Sequence, residues 1–296
     1  MSGVIFNLFG CTQYNDAIIQ SLGFVQGDCQ IHDFPDGESV VRINTNVQGQ
    51  IVLFAVDLYN PNAKLFSLIL AAETVRALGA KKVNLFSPYL PYMRQDKQFL
   101  PTEGITSHYV AKLISHYFDS LLTVEPHLHR IKSLSEIYSI PSNSLTAHQS
   151  IANWLNNNIK KPIIIGPDAE SEQWVTNIAK RVNAPYVIFD KIRHGDRDVK
   201  ISAPNLDAFA DLEPIIIDDV ISTGQTMIEI LHYLQKNDFK NIICLAVHAL
   251  FVDDAYENIK KQCATIVTTN TRLHPSNQID MSDVIVESMK ILYKEQ

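Results

Sequence analysis

Several protein classes are excluded by what this chain lacks. Its 296 residues contain only four cysteines, Cys11, Cys29, Cys244 and Cys263. No two of them form a C-x-x-C pair, and their scatter suits reduced core thiols in a reducing compartment. Excess basic charge is also missing: the formal net charge is −7. General nucleic-acid binding normally leaves a basic footprint, so no nucleic acid is expected as a partner. An acidic protein can still hold an anion through backbone N–H groups and a few cations. No apolar run is long enough to cross a membrane. The opening "MSGVIFNLFGCTQ" has no basic flank and reads as a first strand rather than a signal peptide. Low-complexity segments are absent. The expectation is a cytoplasmic protein without membrane contacts.

What is present supports a large core. Apolar residues make up 46% of the chain, and the length suits two domains held without disulfides. Strand-like runs ("QIVLFAV", "KKVNLFSPYL", "DSLLTVEPH") alternate with helix-like runs ("KLFSLILAAETVRALGA", "ITSHYVAKLISHYF"). That rhythm predicts an α/β fold built on parallel sheets. It restarts after the polar "PSNSLTAHQS", with strands expected in "KKPIIIGPD", "APYVIFDK", "EPIIIDD", "KNIICLAVHA" and "ATIVTTN". Two tandem domains of similar order follow, residues 1–145 and 146–296, with the last helix left open to pack back on the first. Ligands of such folds sit beyond the carboxyl ends of the strands. Six loops there hold most of the unusual polar residues: "DLYNPNAK", "SPYLPYMRQDKQFLPTEG", "VEPHLHRIKS", "GPDAESE", "DKIRHGDRD" and "DDVISTGQT".

The last of these is the most informative. Three isoleucines, residues 215–217, run into Asp218 and Asp219, and then into Ser222, Thr223, Gly224, Gln225 and Thr226 before a helical pattern. Unalternating isoleucines imply a strand covered on both faces. The N–H groups of a helix start are unpaired, and its dipole favours an anion. Hydroxyls from Ser222, Thr223 and Thr226 would add donors, and Gly224 would let the backbone approach a ligand closely. A phosphorylated sugar would satisfy both the acids and the cradle. A strand end followed by a Ser/Thr helix cap explains the same residues.

The loop resembles the phosphoribosyl-diphosphate-binding motif of the type I phosphoribosyltransferase fold. Five further segments, in order, are similar to ribose-phosphate diphosphokinases (phosphoribosyl-diphosphate synthases), and the chain reads as a divergent branch of that family with two tandem phosphoribosyltransferase-like domains. The resemblance implies ATP and ribose 5-phosphate as substrates, Mg²⁺ as the cofactor of ATP, and a homodimer or higher homo-oligomer. In "FPDGES" it assigns Phe34 to stack on adenine, with Asp36 and Glu38 bonding the base in a neighbouring subunit's site. In "PYLPYMRQDKQF" it assigns Arg94, Gln95, Asp96 and Lys97 to ATP. "QFLPTEGITS" would be a mobile loop beside the site. His127 in "VEPHLH" would be a ligand or an outer contact of the Mg²⁺ of ATP, a hydrogen bond to phosphate being equally reasonable because Mg²⁺ prefers oxygen. Asp168 in "GPD" would face the ribose or its metal, although the "AESE" that follows also suits a plain helix start. Lys191 and Arg193 match the catalytic K-x-R; alternate strand positions share a face, and paired cations suit a transferring pyrophosphoryl group. Asp218, Asp219 and residues 222–226 would hold ribose 5-phosphate. Departures from the family pattern are Glu125 for aspartate, Ser222 for a third aspartate, Gln225 for glycine, and "RIKSLSEIY" for a Gln/Gly/Phe-rich stretch. Two alternatives stand beside this reading: a phosphoribosyltransferase that consumes the diphosphate, and a non-catalytic paralogue.

Overall fold

The computed structural model describes the backbone of residues 3–193, 199–202, 206–262 and 265–294; for 190–193, 199–202 and 294 the description stops at the backbone. The chain forms two compact units, residues 1–145 with 282–296, and residues 146–281.

The first unit is a six-stranded, all-parallel sheet. Its elements are β1 (Gly3–Leu8), α1 (Asn15–Leu22), β2 (Val25–Gln26), β3 (Cys29–Asp33), β4 (Ser39–Ile43), β5 (Ile51–Val56), α2 (Leu65–Ala77), β6 (Lys82–Phe86), α3 (Thr106–Tyr117), β7 (Ser120–Val124) and β8 (Ser142–Leu145). The strand order is β2-β1-β5-β6-β7-β8, with β3 and β4 as a separate antiparallel ribbon. All six residues of β5, "IVLFAV", are buried. This marks a central strand covered on both faces, where alternation has no purpose. Phe6 of β1 stacks on Phe54 of β5 at 5.4 Å. On α2, Leu68, Ala71, Ala72 and Val75 are buried, the spacing of one helical stripe against the sheet. The C-terminal helix belongs to this unit: the Tyr293 hydroxyl accepts a bond from buried Asn84 at 3.3 Å, and its ring meets Phe24 edge-on at 5.2 Å.

The second unit repeats the plan. It contains α4 (His148–Asn158), β9 (Pro162–Gly166), α5 (Glu172–Val182), β10 (Tyr186–Ile188), β11 (Asp190–Arg193), β12 (Val199–Ser202), β13 (Glu213–Ile221), α6 (Gln225–Lys236), β14 (Ile243–Ala249), α7 (Ala255–Lys261), β15 (Thr265–Thr269) and β16 (Asn277–Ile279); α8 (Ser282–Lys294) is the helix that joins the first unit. The order β10-β9-β13-β14-β15-β16 is again all parallel, and β11–β12 is again an antiparallel ribbon. Each ribbon leaves the sheet at the same point in the element order, so the two units share their strand order as well as their rhythm.

Three segments differ from the sequence expectation. "APYVIFDK" is not one strand: Tyr186–Ile188 is an edge strand, and the chain leaves the sheet at Phe189 to begin the ribbon. The strand in "KKVNLFSPYL" stops at Phe86, because Ser87 turns its hydroxyl onto the Tyr89 carbonyl at 2.6 Å. Boundary segment "PSNSLTAHQS" contains β8, a short strand at the edge of the first sheet.

Among the described residues, no helix is long and apolar enough to cross a membrane. Cys11, Cys29 and Cys244 are free thiols; Cys263 lies outside the described residues.

Candidate functional site

The second unit builds its site on β13. Ile215, Ile216 and Ile217 are completely buried between β9 and β14. The strand does not end at the acids. Asp218 is still paired with Ala246, and Val220 and Ile221 with His248 and Ala249. Ladder pairing here overrides the poor strand propensity of aspartate. Asp218 and Asp219 are therefore held by a central strand, with the Asp219 N–H donating to the Asp218 carboxylate at 2.9 Å. Burial raises the Asp218 carboxyl well above its ordinary range, and the charges of Asp219 and Asp168 raise it further. Three carboxylates thus gather at the ends of neighbouring strands β9 and β13.

Asp168 has a second task. Its Oδ1 accepts from the N–H groups of Glu170 and Ser171 at 3.1 and 3.3 Å, and so caps the short 3₁₀ turn Ala169–Ser171. The plain helix-start explanation of this segment is therefore realised, with one carboxylate oxygen so engaged.

After Ile221 the chain turns through Ser222 and Thr223 to Gly224, the N-cap of α6. Gly224 has φ +72° and, as the cap residue, no side chain of its own to close the helix. The cap position itself falls to glycine and not to serine or threonine, and the hydroxyl residues stand before and after it. Ser222 and Thr226 are half-buried, and Thr223 and Gln225 are exposed. Gln225 turns its side chain to Glu229 at 3.0 Å. A Cβ on Gly224 would lie 2.9 Å from the Ile259 side chain. In the left-handed region a Cβ costs about 1–2 kcal/mol. Gly224→Ala is accordingly expected to lower Tm and to tilt the N–H groups of the cradle, readable in a thermal melt.

Lys191 and Arg193 occupy alternate positions of β11, opposite Ile201 and Val199 of β12. Their side chains, and the "HGDRD" that follows Arg193, lie outside the described residues.

In the first unit, "FPDGES" is the tip of the β3–β4 ribbon. The Phe34 N–H donates to the Glu38 carbonyl at 2.7 Å, and the Glu38 N–H to the Asp36 carboxylate at 3.1 Å. Gly37, at φ +90°, makes the turn. The D-G turn is thus real. It also presents an aromatic: Phe34 is 43% exposed, held edge-on by His32 at 4.7 Å.

The "RQDK" loop follows β6. Arg94, Gln95 and Lys97 are exposed, whereas Asp96 is buried. One guanidinium nitrogen of Arg130 donates to both Asp96 oxygens, at 3.0 and 3.2 Å. The Asp96 carboxylate is therefore turned inward. Arg130 was not singled out by sequence reasoning; the one signal was that "RIKSLSEIY", where it stands first, departs from the family pattern. Beyond Lys97, whose ammonium lies 5.0 Å from the Phe99 ring, Glu103 closes the loop by accepting from the N–H groups of Phe99 and Leu100. His127 is half-buried after β7, with its ring 3.9 Å from that of His129.

The two units differ where the fold repeats. After β5, the position that matches the cradle, the chain enters Pro61–Ala63 instead of a glycine turn, and the Lys64 ammonium donates to the Asp57 carbonyl at 2.7 Å. Proline offers no N–H, and a fixed lysine occupies the helix start. The glycine-started helix belongs to the second unit.

Two family models match the chain in succession. Residues 3–117 match the family model described as the N-terminal domain of ribose phosphate pyrophosphokinase, and residues 133–284 match a phosphoribosyl transferase domain. A ribose-phosphate pyrophosphokinase of Sulfurisphaera tokodaii is 32% identical, over 85% of this chain and 87% of its own. Another, of Saccharolobus solfataricus, is 34% identical, over 80% and 82%. The crystal structure of a phosphoribosylpyrophosphate synthetase from Mycobacterium smegmatis has a TM-score of 0.86 at 19% identity, over 99% of this chain and all of that one, and shares the fold.

Proposed function

The chain belongs to the ribose-phosphate pyrophosphokinase family, a family of enzymes, and from that premise we propose how its loops divide the reaction of ATP with ribose 5-phosphate to give AMP and phosphoribosyl diphosphate. The carrying observation is the glycine-started helix α6 directly behind two strand-held aspartates. The N–H groups of residues 222–226, with the hydroxyls of Ser222, Thr223 and Thr226, take the 5-phosphate. Asp218 and Asp219 take the ribose hydroxyls.

The first unit supplies the ATP side. Arg94 and Lys97 face the phosphates, and Gln95 the base. Asp96 acts through Arg130 to hold that loop in place. Phe34 offers its exposed ring to an adenine, with Asp36 and Glu38 beside it. This ribbon tip serves a neighbouring copy of the chain, so the active form is a homodimer or a larger homo-oligomer. The protein works in the cytoplasm.

Asp168, Asp218 and Asp219 present only oxygen donors, and their mutual repulsion calls for a cation; this donor set fits Mg²⁺. Asp168 would hold it on the ribose side. His127 belongs to the ATP side, where an imidazole suits a hydrogen bond to phosphate better than a direct bond to Mg²⁺. When bound with ATP, Mg²⁺ would neutralise phosphate charge. The anomeric hydroxyl attacks the β-phosphorus in line. The new C1–O–P linkage forms as the bond from the β-phosphorus to the α,β-bridging oxygen breaks, the hydroxyl proton passes to water, and AMP leaves with the bridging oxygen. Little covalent chemistry falls to the protein, so positioning and charge carry the rate. Lys191 and Arg193 supply that charge.

AMP release that requires both ATP and ribose 5-phosphate tests this reading. AMP-free mixtures in which added phosphoribosyl diphosphate and a base are consumed would contradict it and favour a phosphoribosyltransferase.

Asp218 carries a separate prediction. Its raised carboxyl binds a proton more tightly in the folded chain than in the unfolded one. The stability this contributes is complete below the ordinary value of 3.8, and is lost as pH rises through the raised folded value. Asp218→Asn should therefore raise Tm near neutral pH while weakening ribose 5-phosphate, a trade seen by melting the variant and wild type across pH.

A further inference from the structure

An anion cradle needs more than N–H groups: its carbonyl oxygens must point elsewhere, because an acceptor facing a phosphate repels it. Here the carbonyls of Ile221 and Ser222 are taken up from behind. The N–H groups of Leu250 and Phe251 both donate to the Ile221 carbonyl, at 3.2 and 3.0 Å, and the Val252 N–H donates to the Ser222 carbonyl at 3.0 Å. The segment after β14 thus turns away the acceptors at the start of the cradle.

That segment is itself strained. Phe251 has φ +39° and Asp253 φ +52°, and left-handed residues other than glycine persist only where their surroundings fix them. The fixing contacts are aromatic. Phe251 is buried, with its ring 5.3 Å from Tyr256 and 4.6 Å from His274, which are themselves 4.7 Å apart. His274 is anchored in turn by Ser276, whose hydroxyl lies 2.7 Å from Nδ1, and by Asn277, which accepts its N–H at 2.9 Å. α7, which begins just beyond this segment, supplies the Ile259 and Ala255 side chains that meet Gly224 from behind. The three rings therefore key a strained segment whose N–H groups set the orientation of the phosphate loop.

We propose that Phe251 is a positioning residue for ribose 5-phosphate, acting through the carbonyls of Ile221 and Ser222 and not by touching the substrate. The inference rests on the functional reading of the Ser222–Thr226 loop. Its signature is selectivity: loss of the ring affects one substrate and spares the other.

The test compares wild type, Phe251→Ala, Phe251→Tyr and His274→Ala in the full chain, by calorimetric titration of ribose 5-phosphate and by steady-state kinetics in both substrates. Phe251→Ala is expected to raise Kd and KM for ribose 5-phosphate about tenfold or more, since small misplacements of a binding loop are costly. The KM for ATP stays within about twofold, and Phe251→Tyr restores much of the loss. His274→Ala removes the same prop from another loop, so a selective loss there supports the inference even if Phe251→Ala does not fold. Unchanged ribose 5-phosphate affinity in Phe251→Ala, or equal losses for both substrates in the folded variants, would overturn it. A wild-type protein that binds no ribose 5-phosphate would overturn the functional reading itself, and this inference with it.

Discussion

Lys191→Ala is expected to lower turnover by roughly a hundredfold or more, with the melting curve unchanged. The group in transit carries two phosphates, and negative charge grows on the leaving AMP as its bond to the β-phosphorus breaks. A fixed cation aimed at that charge acts on the transition state more than on the bound substrates, and removing one such donor commonly costs about 10²–10³ in rate. Position adds to the expectation. Lys191 lies on a ribbon outside the six-stranded sheet, paired only to β12, so its loss leaves the sheet's ladder untouched. The effect should fall on kcat, with KM for both substrates little changed. Arg193→Ala should behave alike, and the double variant should lose less than the product of the two, because both cations serve one group. Turnover near normal in Lys191→Ala would remove it from the reaction.

Arg130→Ala should show the opposite pattern: a stability loss with an ATP defect. The Asp96 side chain is fully enclosed, and Arg130 is its cation, itself about one-third exposed. Deleting the guanidinium leaves a buried carboxylate with its charge uncompensated, which is costlier than the pair was stabilising. Water reaching in from the exposed Arg130 side softens the cost to about 2–3 kcal/mol. For a chain of this size that is a fall in Tm of roughly 5 °C or more. Arg94, Gln95 and Lys97 are carried by the same loop, so KM for ATP should rise while KM for ribose 5-phosphate holds. Arg130→Lys keeps a charge within reach and should recover part of both effects. A loss confined to ribose 5-phosphate would show that Arg130 does not act through this loop.

The legible parts of the molecule were those written in contiguous residues. Three isoleucines, two acids, small polar residues and a helical pattern announce a covered strand, its exit and a helix start; the structure has the strand and the helix, but the exit comes after Ile221 and not at the acids. What the pattern could not give was the cap. Serine and threonine near a helix start ordinarily close it, and only the backbone shows that Gly224 takes that place. Pairing across distance was illegible for a different reason. Asp96 and Arg130 are 34 residues apart, and "RQDK" reads as ordinary surface charge until burial turns one member inward. Strand boundaries slipped where ladder bonds outweigh propensity, as when β13 runs on through Asp218 and Asp219. The left-handed Phe251 had no signal at all, since nothing in "HALFVDDAY" distinguishes a bulky residue with positive φ from an ordinary turn. The side chains of Lys191 and Arg193 rest on the motif alone.

Transfer of an intact pyrophosphoryl group is read from the fate of the β-phosphorus. Protein, Mg²⁺, ribose 5-phosphate and ATP labelled at the β-phosphorus should yield labelled phosphoribosyl diphosphate and unlabelled AMP in equal amounts. Label appearing in ADP, or remaining in ATP while ribose 5-phosphate is present in excess, would contradict the account.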